Sequence, residues 1–427
     1  MNLFKRLFSK SPKKTVDPEA AAFLKSLLEN ELTTTEMQQA AKSEAGPSVI
    51  LTPAVPLPTK NTIGWFGGAP ALPSELDWPE IEGTPLCFVA QINLAELPQN
   101  IWSGVGPRQG NFAFFIHPTE TRAKVLHIDG LLETKQGQSP MLSYWFRNHH
   151  DKRPPVNTHF PQWPVHLTGH VGELPEPAGW HKGNAPGFSE PFKNEEFDLA
   201  NPAHQPFDET TLDALIELID EVLERRLNST AMFLETKKLR DDVACALNAL
   251  QAKVQTAHDR FLEIKEGVAP FRETFDRVGV LRYLQALNEL TFGDTNYRRN
   301  DEEGYAEIEV STGKLIQYAS RFLRILERHA KYAYLDDPEK LSEEAKARFE
   351  IIWAFDAIHE RGGMSHPPKG HIYTPHGPSS PNEVLLELPT SDLLGWIWGD
   401  MYSVIFTIAR DDLAKGKLDN IIVDITN

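Results

Sequence analysis

The sequence predicts an α+β protein in which a β-rich domain, formed by N- and C-terminal segments, is interrupted by a long helical insertion. Three observations predict it. Residues 60–200 are dense in Gly, Pro and aromatics and hold short apolar runs bounded by turn residues: Leu86–Ile92, Phe112–Ile116, Val125–Ile128 and Met141–Phe146. Such runs have the character of strands. From Asp208 the apolar spacing switches to the helical period. After residue 382 strand chemistry returns, in a segment too short to bury a core of its own. That last segment is expected to pair with the 60–200 region, because an insertion at a surface loop costs little.

Each element follows in order. Residues 1–58 are a basic N-terminal tail, a short helix and a Pro-rich linker. Leu3, Phe4, Leu7 and Phe8 share one helical face, with Lys5, Arg6, Lys10, Lys13 and Lys14 around them. Phe23, Leu24, Leu27 and Leu28 mark a helix over 18–31, and Pro47, Pro53, Pro56 and Pro58 forbid one thereafter. Residues 59–206 form the first part of the β-rich domain, with Gly64, Gly67 and Gly68 permitting a tight turn.

Residues 207–360 are the helical insertion. Leu212, Leu215, Ile216, Ile219, Val222 and Leu223 keep helical spacing behind Asp208 as N-cap. Val243, Leu247, Leu250, Val254, Ala257, Phe261 and Ile264 then step by fours and threes, the seam of a helical hairpin. Further helices are expected at 277–290, 314–335 and 342–359. Residues 361–427 are a Pro/Gly/His-rich loop and the closing part of the β domain. In that part Val384, Leu386 and Leu388 alternate with Glu383 and Glu387, and Ile421, Val423 and Ile425 form a last strand.

Composition excludes several classes. The 427 residues carry 43 Lys+Arg against 60 Asp+Glu, a formal net charge of −17. A broad nucleic-acid surface needs the opposite sign. Cys87 and Cys245 are the only cysteines. They are far apart, read as small buried hydrophobes, and suit a reducing cytoplasm. No apolar stretch is long enough for a membrane helix. Membrane-surface association through residues 1–14 is the secondary reading of the basic tail, because one short helix binds marginally.

The same residues carry a family likeness. Phe66-Gly67-Gly68-Ala69-Pro70-Ala71-Leu72-Pro73, Trp78-Pro79 and Pro85–Leu94 resemble the opening signature of the YwqG-like family, a bacterial domain of unknown function. His359-Glu360-Arg361-Gly362-Gly363 resembles its His-x-x-Gly-Gly element. Leu385–Leu388, Trp398-Gly399-Asp400 and Asp411–Ala414 resemble its closing segment. The chain departs from the family in a longer helical block and in Met364-Ser365-His366-Pro367-Pro368 after the glycines. The resemblance implies an α+β fold in a soluble protein and brings no catalytic mechanism.

No catalytic motif, metal set or cofactor is expected. His149, His150, His159, His166, His170, His366, His371 and His376 are spaced too loosely for a zinc site and have no Cys nearby. Phe66-Gly67-Gly68 lacks the spacing of a P-loop or dinucleotide turn, and no G-x-S-x-G elbow is present. The binding candidates are Trp78, Gln91, His359, Trp398 and Asp400, as a groove lined by tryptophans with polar groups at its rim. The leading function is a cytoplasmic binding protein whose acidic helical insertion recognises a protein partner, with immunity-type neutralisation of a basic partner as one form. The alternative is a small-molecule enzyme of hydrolase type, using the tryptophan-lined groove.

Overall fold

The computed structural model describes residues 47–58, 62–135, 145, 160–171, 209–272, 286, 289–315, 320–365 and 382–426. The basic tail, the 18–31 helix and most of the loop histidines lie outside them. The chain divides into two compact units. Residues 1–152, 156–185 and 347–427 make the first, and residues 153–155 with 186–346 make the second.

In chain order the first unit begins with β1 (Pro47–Pro53), β2 (Gly64–Phe66), β3 (Ala71–Leu72), β4 (Glu80–Ile81) and β5 (Thr84–Pro85). It continues with β6 (Cys87–Asn93), β7 (Asn111–Ile116), β8 (Ala123–Ile128), β9 (Glu133–Thr134) and β10 (Trp163–Val171). The second unit holds α1 (Glu209–Thr236), α2 (Asp241–Arg272), β11 (Thr291–Asn300), β12 (Ala306–Lys314) and α3 (Ser320–Asp336). Helix α4 (Glu343–His359) begins in the second unit and ends in the first. There β13 (Gly362–Ser365), β14 (Asn382–Pro389), β15 (Ser403–Ala409), α5 (Arg410–Ala414) and β16 (Ile422–Thr426) follow.

Ten strands form one antiparallel sheet among the described residues, in the order β16-β15-β14-β13-β1-β10-β2-β6-β7-β8. Strands from both ends of the chain therefore share a sheet, and β13 against β1 is the join, with Gly362 opposite Leu51 and Met364 opposite Val49. The stretch that its prolines mark as linker contributes this central strand. Pro47 and Pro53 stand at its ends, where a missing N–H is tolerated, and Val49, Ile50 and Leu51 are buried.

Strand register sorts the side chains onto two faces. Trp163, Phe66, Ala90, Phe114 and Val125 form one cross-strand row. Trp65, Gln91, Ala113 and Leu126 form another row, on the opposite face. On the Phe66 face, Phe114 of the ninth strand meets Phe406 of the second edge to face, 5.3 Å between ring centroids. The sheet thus curls until its two ends approach, nearly closing a barrel over this face. Trp163 packs against Trp353 of α4 on the same face. The opposite face carries a separate cluster of Leu72, Leu86, Phe88, Ala113, Phe115 and Ile128.

In the second unit α1 and α2 are an antiparallel hairpin. Leu247, Leu250, Val254, Ala257, Phe261 and Ile264 are all buried, as the seam spacing predicts. Asp220 of α1 pairs with Lys265 of α2. The β11–β12 ribbon is absent from the sequence reading. It packs on α2, where Leu250 lies over Gly293 and leaves no room for a side chain. Its exposed half is held by the Arg298–Glu309 pair at 2.6 Å. Cys87 is buried, but Cys245 is exposed in the first turns of α2. The reading of both as buried hydrophobes therefore holds for Cys87 alone, because Cys245 falls outside the hairpin seam.

Candidate functional site

The five residues singled out from the sequence occupy different surroundings. Trp78 is half-buried on the outer cluster, edge-on to Phe115 at 5.6 Å, and its Nε1 donates to the Leu86 carbonyl at 3.0 Å. Gln91 is 1% exposed on the same face. Its Oε1 accepts from Ala71 N at 2.9 Å and its Nε2 donates to Ala71 O at 3.1 Å, so the amide pins β3 beneath the sheet.

Trp398 belongs to the other side. Its ring lies 5.5 Å from Trp396 and 5.4 Å from Trp145, and Trp396 in turn approaches Phe66 at 6.2 Å. His359 ends α4, stacked on Phe355 at 4.2 Å with Nδ1 at 2.9 Å from the Phe355 carbonyl. Asp400 is exposed in the Gly399–Met401 turn. Trp78 and Gln91 thus come together on one face of the sheet, and Trp398 lies with Trp396 on the other. The structure does not gather all five around one groove.

The closing segment instead concentrates carboxyls held away from water: Glu383 and Glu387 are buried and Glu360 is half-buried. Glu360, just past α4, accepts from Ser391 Oγ at 2.7 Å and from Leu393 N at 3.2 Å. Ser391 Oγ also accepts from Leu394 N at 2.9 Å. The carboxylate therefore fastens the end of α4 to the turn that presents Trp396 and Trp398. Burial, together with the nearby Asp392, pushes Glu360 up to about 7, against the pull of its hydrogen bonds. Glu383 is fully buried with Arg410 Nε at 2.6 Å, and burial still raises it. Glu387, 1% exposed, is pushed up to about 9 by burial.

Glu383 and Glu387 are legible in the sequence only as the polar half of an alternating strand. Nothing in that alternation distinguishes an acid facing water from one buried on a sheet face covered by other chain. The Glu360–Ser391 fastening joins residues 31 positions apart and has no local signal. In the second unit, Glu221, Glu224, Arg225, Asn228, Ser229 and Met232 of α1 line a shallow depression of about 470 Å³. Met232 is 49% exposed there.

A family model described as a domain of unknown function, DUF1963, matches residues 65–426, which takes in both units. The chain belongs to the DUF1963 family. No curated protein matches it. The DUF1963 match begins after β1 and takes in the strands that follow, the helices between them and the closing acids alike, so the helical segment is part of the matched region. Among the described residues of this DUF1963 chain, no group of three or more His, Cys, Asp or Glu side chains is placed to hold a metal ion. No helix among them is long and apolar enough to cross a membrane.

Proposed function

We propose that this DUF1963 protein is a non-enzymatic binding protein that recognises a basic protein partner through the acidic helices of its second unit. The observation that carries this reading is the depression on α1. Glu221 and Glu224 line it together with Arg225, which pairs with Glu221, and Met232 adds an exposed apolar contact. Two glutamates against one arginine leave the lining net negative, which attracts a basic partner and sets its approach. The exposed methionine supplies adaptable apolar area. Immunity-type neutralisation of a basic toxin is one form of this function. The β-rich body, with its YwqG-like motifs, serves as the rigid carrier, and the two free thiols suit a reducing cytoplasm.

The hydrolase alternative needs Trp78 and Trp398 to line one groove. They pack on opposite faces of the sheet, so no observation favours it.

The test compares capture of lysate proteins by the full chain and by a Glu221→Gln, Glu224→Gln, Met232→Ser variant. The expected result is one stoichiometric basic partner that is lost in the variant and released by high salt. Identical capture by both proteins, or release that ignores salt, overturns the reading.

A further inference from the structure

The turn that presents the tryptophans is fastened to the end of α4 through a single oxygen. Ser391 Oγ at 2.7 Å and Leu393 N at 3.2 Å both donate to Glu360 Oε2. Because both bonds fall on one oxygen, the carbonyl of a neutral acid can accept them while Oε1 carries a proton. Neither contact requires a charge.

Three features of the place work against the charge. Glu360 is half-buried, and burial disfavours a carboxylate. Its N–H donates to the Asp356 carbonyl at 2.8 Å, so it stands at the C-terminus of α4, where the helix dipole disfavours an anion. Asp392, exposed on the fastened turn, acts on it as a like charge. The other ionisable groups nearest in the chain are Asp356, one helical turn back, and His359 and Arg361 on either side.

We propose that Glu360, Ser391 and Leu393 form a proton-operated latch, which closes on the tryptophan turn when the Glu360 carboxyl is neutral and loosens when it ionises. In the closed latch Glu360 is pushed up to about 7. Released into water, it returns to the ordinary value of about 4.3. Opening therefore releases a proton, and raising the pH favours opening. The turn carries Trp396 and Trp398, and Trp396 approaches Phe66 at 6.2 Å, so the latch bears on the packing of the inner sheet face. It lies in the first unit and does not depend on the partner-binding reading.

The test is hydrogen exchange of residues 391–398 in the full chain across a pH series, with protection corrected for the intrinsic rate at each pH. A closed value of about 7 against about 4.3 when open weakens the latch about tenfold between pH 6 and pH 8. Glu360→Gln keeps an oxygen for the two donors and cannot ionise. Protection in the native chain should therefore fall about tenfold more between these pH values than it does in Glu360→Gln. Taking the difference removes the contribution of every other titrating group, His359 and Glu387 included. Asp392→Asn removes the like charge at an exposed position and should move the midpoint of the response to lower pH. Equal falls in the native chain and Glu360→Gln overturn the proposal. If Glu360→Gln does not fold, Asp392→Asn decides, and an unmoved midpoint overturns it.

Discussion

Phe114 and Phe406 stand edge to face, 5.3 Å between ring centroids, although six strands separate their own in the sheet. The pair is where the curled sheet meets itself. Truncating either ring removes buried area from both ends of the sheet at once. Phe114→Ala and Phe406→Ala are each expected to lower unfolding free energy by about 3–5 kcal/mol. The double variant should cost less than the sum, because the two rings touch. Denaturant unfolding of the four proteins measures this, and full additivity would show that the contact carries no energy.

Glu360 and Ser391 tie the end of α4 to the tryptophan turn. Removing the hydroxyl leaves Leu394 N without its acceptor and takes one of Glu360's donors away. Ser391→Ala should destabilise the protein by about 1–3 kcal/mol. The Ser391 hydrogen bond holds Glu360 down, so its loss should move the Glu360 titration upward from about 7. Carboxyl carbon NMR across a pH series reads that shift directly.

Glu387 makes stability depend on pH, with a definite sign. Its folded value, about 9, lies above the unfolded carboxyl value of about 4.3. Between those limits the native state holds a proton that the unfolded chain has released. Stability is therefore greatest below the unfolded value, falls as pH rises, and levels off above about pH 9. Glu387→Gln removes this dependence. The variant should match the native protein near pH 4 and exceed it by a few kcal/mol at pH 8, as urea midpoints at the two values would show.

Gly64 sits in β2 with the Gln91 carbonyl of β6 directly against it, so an added Cβ would run into backbone that has no freedom to move aside. Gly64→Ala should prevent accumulation of folded protein. Gly83→Ala meets no atom within 4 Å, and its penalty is confined to the left-handed conformation at φ 77°. Circular dichroism of the two purified variants separates steric exclusion from turn strain.

Much of this architecture is legible before folding. The step of four and three along Leu247–Ile264 is a geometric signature, and every one of those residues is buried. The runs at Leu86–Ile92 and Phe112–Ile116 fall on β6 and β7 for the same reason. The β11–β12 ribbon escaped because its strands are mostly polar and exposed, and a half-solvated ribbon leaves no apolar period. β1 was hidden by its prolines, which sit at its ends and spare the Val49–Leu51 centre. Of the candidate site residues, Trp78 and Gln91 share a face, and Trp398 is separated from them by the sheet. Which side of a sheet a tryptophan takes is fixed by register and by connections through turns, and neither is written locally.

Strand β13 also sets a timetable. Its four residues lie between β1 and β14, so one edge of β1 has no partner until the ribosome has made the chain as far as Gly362. An edge rich in Val, Ile and Leu that waits through the synthesis of a whole second unit is a place where wrong pairings begin. Nascent chains halted before Gly362 should need a chaperone to stay dispersed, and chains released after Thr426 should not.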